Sequence, residues 1–249
     1  MNTTIYKILK APVIITGALF FFCCKSNLIF GQGTTGMVEN DFQRTIHFFD
    51  NSGKTFVNPN LDVAGTPFLN EDWRLGRLKV GDNTIFNNIK IRLNLYSQEV
   101  HFLKSDNVEM SSPKGTIKEI VVFDSINNKA LANRTFLCGF PSIDNQNEKN
   151  FYELICNGKI KLLESMRKTI HQDTDDLSGT VQKEFREYDD YYFLIQGESA
   201  LQRIKRDKDF VLNFMKDRKD KVAAFLQTTK ISFKSTDDIK NLVDYYNSL

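Results

Sequence analysis

Apolar and polar residues alternate along residues 73–123, which is the spacing of a half-buried β-strand. The clearest alternating stretch contains Ile85, Ile89, Ile91, Leu93 and Leu95. Gly-Asp-Asn at 81–83 and Ser-Ser-Pro-Lys-Gly at 111–115 are turn sequences that separate one strand from the next. The pattern therefore predicts an antiparallel β-meander with short connections.

Two further strands are predicted at residues 134–140 and 151–155, which are rich in apolar side chains. Asn157-Gly158 follows the second of them and favours a type I′ hairpin turn, because both residues tolerate positive φ. The chain is then expected to return along residues 159–163. This adds a hairpin to the meander.

The next segment is polar until the last predicted strand. Residues 171–184 contain few apolar side chains and are predicted to be a loop. Residues 188–196, with the sequence YDDYYFLIQ, are predicted to be a strand, because aromatic and β-branched residues favour extended structure. The β-rich part of the chain is therefore expected over residues 61–200.

Residues 205–249 change to the helical period. Ser235 precedes two aspartates, as at a helix N-terminus. The apolar residues that follow at i, i+3, i+4 and i+7 are Ile239, Leu242, Val243 and Tyr246. Similar spacing at 210–215 and 222–226 predicts one or two more helices. Strands first and helices last indicate the α+β class: an antiparallel β-meander, forming a sandwich or partial barrel, followed by two or three C-terminal helices.

The first residues of the chain have a different pattern. Lys7 and Lys10 precede an uncharged apolar run at 11–24, and the small residue Gly31 follows. This is the arrangement of a secretory signal peptide, and the run is shorter than the roughly 20 residues that span a bilayer. We therefore expect residues 1–31 to be a cleaved signal peptide. The mature protein is expected in the periplasm or cell envelope, without a transmembrane helix.

Two alternatives concern the same segment. Lipidation at residues 23–24 (Cys-Cys) would produce a lipoprotein, but the residue before a modified cysteine is normally small and Phe22 is large. A retained signal anchor is less favoured because the run is short. After cleavage we expect a flexible leader at 32–60, with one strand at 42–49, and a single α+β domain at 61–249.

Charge and cysteine content limit the classes of partner. The chain has 33 basic and 31 acidic residues, and the signal peptide contains three of the lysines, so the mature chain has a net charge near −1. Such a protein is not expected to bind nucleic acid; another envelope protein is the candidate partner. Export permits a disulfide between Cys138 and Cys156, and two buried free thiols are the alternative.

Sequence motifs for known chemistries are missing. The three histidines lie in separate segments, and no zinc, nucleotide-binding or serine-nucleophile motif is present. Asp-Thr-Asp-Asp at 173–176 begins like a calcium loop, but Leu177 and Ser178 do not continue it. No cofactor or metal is therefore expected, and no catalytic residue is assigned.

Three residues are candidates for ligand contact. Asp189 and Asp190 are adjacent in the last predicted strand, and paired carboxylates can perform acid–base chemistry on a glycan; solvation of a strand edge is the alternative. Trp73 can stack on a sugar or peptide, or it can anchor the core. The mixed-charge stretch at 203–221 predicts a solvated helix face, with anion binding as its alternative.

Three longer stretches carry a resemblance. They are GTPFLNEDW at 65–73, FYELICNGK at 151–159 and LVDYYNSL at 242–249. These resemble the opening, a hairpin and the tail of an uncharacterised family of exported proteins from Bacteroidetes-type bacteria. The resemblance covers about residue 65 to the end, implies an envelope location and brings no catalytic residues. The resemblance also implies that any residue can occupy position 156 of that hairpin. This disfavours a disulfide role for Cys156.

The sequence therefore favours a non-enzymatic envelope protein with a binding or scaffolding role. The alternative is a hydrolase of glycan or peptide that uses carboxylates near residues 188–192. A third interpretation is a surface component that binds anionic partners through the basic residues at 203–221.

Overall fold

A computed structural model was obtained for the chain. It describes residues 62–81, 84–103, 108–123, 133–175 and 179–249, together with the backbone of 125–126 and 129–130. The expected signal peptide, the alternative lipidation site, the leader and the strand predicted at 42–49 lie outside these residues.

The described part of the chain contains twelve strands. In chain order they are β1 (Arg74–Val80), β2 (Thr84–Asn94), β3 (Glu99–Leu103), β4 (Glu109–Ser111), β5 (Ile117–Val122), β6 (Ser125–Ile126), β7 (Lys129–Ala130), β8 (Arg134–Leu137), β9 (Tyr152–Cys156), β10 (Ile160–Thr174), β11 (Val181–Ile195) and β12 (Gln202–Arg203). Ten of them form one antiparallel sheet in the order β12-β11-β10-β9-β8-β5-β1-β2-β3-β4, which is not closed, and β6 pairs separately with β7. Most consecutive strands are neighbours, so the predicted antiparallel meander is confirmed.

Helices follow the strands, which confirms the predicted α+β class. They are α1 (Lys208–Asn213), α2 (Lys219–Thr228) and α3 (Thr236–Asn247), with a 3₁₀ turn, Lys216–Arg218, between α1 and α2. As predicted, Ser235 caps α3, and its side chain accepts a hydrogen bond from the Asp238 N–H. Within the described residues, no helix is both long and apolar enough to cross a membrane.

Among the described residues, buried side chains form three hydrophobic cores. The sheet core includes Leu78, Ile91, Leu93, Phe102, Ile120, Phe136 and Met166. The helix core includes Ile160, Leu162, Phe193, Val211, Met215, Val222 and Leu242. The loop core includes Phe140, Tyr152, Leu163, Tyr192 and Leu201. Leu162 and Leu163 point to opposite faces of β10, so the hairpin of β10 and β11 is covered on both faces where they lie.

Within the polar segment at 171–184, residues 171–174 end β10 and residues 181–184 begin β11, so the loop prediction was wrong for these residues. β10 and β11 pair along their full length, with Ile160 opposite Ile195 and Thr174 opposite Val181. The outer half of this hairpin is largely exposed on both faces. Neither face needs apolar side chains there, so the alternation that marks a half-buried strand is absent.

The turn at Asn157-Gly158 also differs from the prediction. Neither residue has a positive φ, and Cys156 pairs with Leu162, so the connection is wider than a two-residue type I′ turn. A Cβ on Gly158 would lie 2.5 Å from Cγ of Asn247 in α3. Glycine is therefore required here for close packing against the helix and not for its backbone angles.

Candidate functional site

Asp189 and Asp190 point to opposite faces of β11, as successive residues of a strand do. Across the hairpin, Asp190 lies opposite Ser165 and Asp189 lies opposite Met166. The two carboxylates therefore cannot flank one scissile bond as a catalytic pair. Each belongs to a different site.

Asp190 holds two arginines in place. Its Oδ2 accepts a hydrogen bond from Arg167 Nη1 at 2.5 Å, and its Oδ1 accepts one from Arg203 Nη2. Arg203 Nη1 lies 3.7 Å from Asp144 Oδ2, and the same oxygen accepts a hydrogen bond from the Tyr192 hydroxyl at 2.8 Å. Only 13% of the Asp190 side chain is exposed, whereas Arg203 and Asp144 are 55% and 41% exposed, so Asp190 is the shielded centre of a network whose rim faces solvent.

Asp190, the two arginines and Asp144 line a cleft of about 500 Å³, which we call the arginine cleft. The strands contribute Arg167, Lys168, Asp190 and Arg203. The connections contribute Leu95, Tyr96, Gln98, Asp144, Asn145, Gln146 and Asn150. Most of these side chains carry an amide, carboxylate or guanidinium group, so the cleft offers both hydrogen-bond donors and acceptors.

Buried hydrogen bonds fix the walls of the arginine cleft. The amide of Gln98 donates to the Met166 carbonyl at 3.2 Å and accepts from the Phe151 N–H at 3.1 Å. The Ser165 hydroxyl donates to the side-chain oxygen of Gln146 at 2.8 Å. Gln98, Gln146 and Ser165 are all buried. Because buried and paired polar groups are costly to break, the cleft is preformed.

The opposite face of the sheet carries a different group, Glu153, Glu164 and Asp189, which we call the acidic patch. Glu153 and Glu164 lie opposite each other on β9 and β10. Arg134 forms an ion pair with Glu153, and the Tyr191 hydroxyl donates to Glu164 at 2.6 Å. Burial, with the charges of Glu153 and Asp189, raises the pKa of Glu164. Burial and neighbouring acids also raise the pKa of Asp189.

Among the described residues, no group of three or more His, Cys, Asp or Glu side chains is arranged to hold a metal ion.

Trp73 is half-buried and covers a charged network instead of anchoring the core. The guanidinium carbon of Arg92 lies 4.2 Å from the ring centroid of Trp73 and 3.9 Å from that of Phe68. Arg92 donates to both oxygens of Glu109 at 2.8 Å, and His101 Nδ1 lies 2.7 Å from the same carboxylate. Burial acts to raise the pKa of Glu109, but hydrogen bonds with His101 and Arg92 outweigh it and lower that pKa. Trp73 does not line the arginine cleft, and its role in ligand contact stays a prediction.

The candidate disulfide is not formed, because Cys138 and Cys156 are both free. β8 and β9 pair with Leu137 opposite Tyr152. Along this register Cys156 is displaced from Cys138 by about five residues, or ~16 Å at the rise of a strand, whereas a disulfide needs Cα atoms within about 7 Å. Burial raises the pKa of the Cys156 thiol to about 12, so it is unreactive at neutral pH.

Sequence reasoning found Asp190 but missed its partners. Arg203 lies in β12 and not on the solvated helix face that was predicted for its segment. Arg167 lies in β10, in a position with no local motif. Their only signal is that β10 and β12, the two strands next to β11, each carry a basic residue near Asp190. This signal becomes visible only once the strand order is known.

The fold and the cleft define an α+β protein with an antiparallel sheet, C-terminal helices and a preformed polar cleft. Comparison with protein-family models, with curated proteins and with solved structures found no match to this chain.

Proposed function

We propose that this chain is a non-enzymatic binding protein of the bacterial cell envelope and that its arginine cleft binds a carbohydrate. The proposal rests on the paired state of Asp190. Because two arginines bind its carboxylate, Asp190 is unsuited to attack or protonate a substrate. It instead orients Arg167 and Arg203, whose remaining N–H groups are available to a ligand.

The charge and shape of the cleft favour a sugar over a strongly charged ligand. Two arginines face two aspartates, and the ammonium group of Lys168 is occupied by the carbonyl oxygens of Thr66 and Phe68 at 3.1 and 2.7 Å. Sugar hydroxyls donate and accept hydrogen bonds, as the amides and charged groups of this cleft do. Tyr96, which is 45% exposed, offers an aromatic ring to the apolar face of a sugar.

Calorimetric titration with a panel of neutral and acidic hexasaccharides tests this function. We expect at least one of them to bind without release of products. Arg203→Ala is expected to weaken that binding about tenfold or more, because a hydrogen bond to a charged group contributes about 1.5–3 kcal/mol. Arg186→Ala is the matched control. Arg186 lies in β11 and, like Arg203, forms exposed ion pairs with carboxylates, but it does not line the cleft. Absence of binding across the panel, or equal effects of the two variants, would contradict the proposal.

A hydrolase is the second candidate function, and the acidic patch favours it. A carboxyl group with a raised pKa, such as that of Glu164, is suited to act as a general acid. In the titration this candidate predicts new reducing ends, because hydrolysis of a glycosidic bond releases one. Glu164→Gln would then abolish their release, while Arg203→Ala would not.

An envelope location is part of the proposal and is supported by the pattern of residues 1–31. When the full chain is expressed in a Gram-negative host and recovered from the envelope fraction, we expect an intact mass that begins at Gln32. An added acyl mass on residues 23–24 would instead identify a lipoprotein, and an unprocessed chain would contradict cleavage.

For the fold, we propose the partial barrel in preference to the sandwich. A hydrogen bond from the Lys168 N–H to the Leu95 carbonyl at 3.1 Å joins β10 to the connection between β2 and β3, although several strands separate them in the sheet. Such a contact favours a strongly curved sheet.

A further inference from the structure

We propose that the groove between α1 and α2 binds a single-chain fatty acid anion. The groove has a volume of about 860 Å³, which falls within the range of small-molecule sites. It is separate from the arginine cleft, since the two have no lining residue in common. The helix groove is therefore a second binding site, beyond the carbohydrate function.

The floor of the helix groove is apolar and firmly packed. Leu212 and Met215 line it from α1 and the residues after it, and Val222, Ala223 and Leu226 line it from α2. Met215 and Val222 are buried members of the helix core, so their positions are fixed by packing. Methionine is unbranched and polarisable, which suits contact with a flexible acyl chain.

Three lysines surround this apolar floor. Lys208, Lys216 and Lys219 line the groove, against one acidic residue, Asp209. Within the described part of the chain, none of the three has an ion-pair partner, as is the case for most of the described lysines other than Lys168, Lys183 and Lys240. The rim therefore has an excess of unpaired positive charge beside an apolar channel, which complements a carboxylate attached to a hydrocarbon chain.

The shape of the groove favours a single molecule over an extended anionic membrane. Asp217 and Asp220 lie on the same helical segment and are exposed, but so are Arg218 and Lys221, so charge alone does not separate the two ligands. A separate molecule can enter the groove and cover its apolar floor, with its carboxylate among the three lysines that line the groove against a single acid, Asp209.

The test measures the fluorescence of dansyl-labelled undecanoate on binding to the whole chain and its displacement by dodecanoate below its micelle concentration. We expect an increase in fluorescence that dodecanoate reverses. The triple variant Lys208→Gln/Lys216→Gln/Lys219→Gln is expected to weaken binding at least tenfold. Ala223→Trp is expected to abolish it, because the indole fills the groove from an exposed position.

Lys230→Gln/Lys234→Gln is the matched control, because these lysines are exposed in the connection between α2 and α3 and do not line the groove. Arg203→Ala serves as a second control for the arginine cleft. Both should bind the probe as the unsubstituted chain does, and all variants should keep its circular dichroism spectrum. Binding that survives the triple variant and Ala223→Trp would overturn the proposal. So would binding to phosphatidylglycerol vesicles without displacement of the probe by dodecanoate.

Discussion

Replacing Glu109 with glutamine is expected to lower the free energy of unfolding by about 2–3 kcal/mol, because it leaves the largely buried Arg92 without a charged partner. The change keeps the shape of the side chain, so the loss reports on charge and hydrogen bonding. Glu119→Gln is the matched control: its ion pair with Arg77 is more exposed, and its loss is expected to cost about 1 kcal/mol or less. Urea unfolding measures both values.

The pH dependence of the free energy of unfolding provides a second test of the role of Glu109. The folded state lowers the pKa of this carboxyl, so the unfolded chain binds its proton more tightly than the folded chain does. The stability contributed by the ionised group is present above the unfolded pKa and is lost as pH falls through the folded pKa. The difference in unfolding free energy between the unsubstituted chain and Glu109→Gln should therefore shrink in the acid range. A difference that stays constant there would contradict this assignment.

Asn247→Ala is expected to cost about 2–4 kcal/mol of unfolding free energy. The Asn247 side chain accepts a hydrogen bond from the Ile160 N–H and donates one to the Ile160 carbonyl, both at 2.9 Å. Ile160 is fully buried, so the substitution leaves two backbone groups without partners, each at a cost of about 1–3 kcal/mol. Ser248→Ala is the control, because its hydroxyl bonds only to its own helix at an exposed position. Urea unfolding again provides the measurement.

A double-mutant cycle with Gly158 checks the geometry of that contact. Gly158→Ala should destabilise the protein because its methyl group meets the Asn247 side chain. In the Asn247→Ala background the cost of Gly158→Ala should fall, since two of the three closest atoms are gone. Strictly additive effects would show that the two positions do not interact in this way.

The sequence predicted the fold best where one face of an element is buried. Alternation located β2 and the 3.6-residue period located α3, because burial of one face imposes a period on the sequence. It failed at 171–174 and 181–184, where β10 and β11 expose both faces and leave no pattern to detect. It also misjudged Gly158, since its close packing partner, Asn247, lies in the distant C-terminal helix.

The candidate site was less predictable than the fold. Asp190 was found from a pair of adjacent acids, but adjacency in a strand separates side chains onto opposite faces. Arg167 and Arg203 reach Asp190 from strands 23 and 13 residues away, and only strand order reveals such partners. Two of the stretches that carried the resemblance, the hairpin at 151–159 and the tail at 242–249, do meet through the contact of Gly158 with Asn247.

The long hairpin of β10 and β11 has a consequence for how the described part of the chain melts. Its two strands supply Met166 to the sheet core, Leu162 and Phe193 to the helix core, and Leu163 and Tyr192 to the loop core. Separation of the hairpin would remove a wall from all three at once, so none of them forms an independently melting unit. A sugar in the arginine cleft or a fatty acid in the helix groove would therefore shift one shared, cooperative transition.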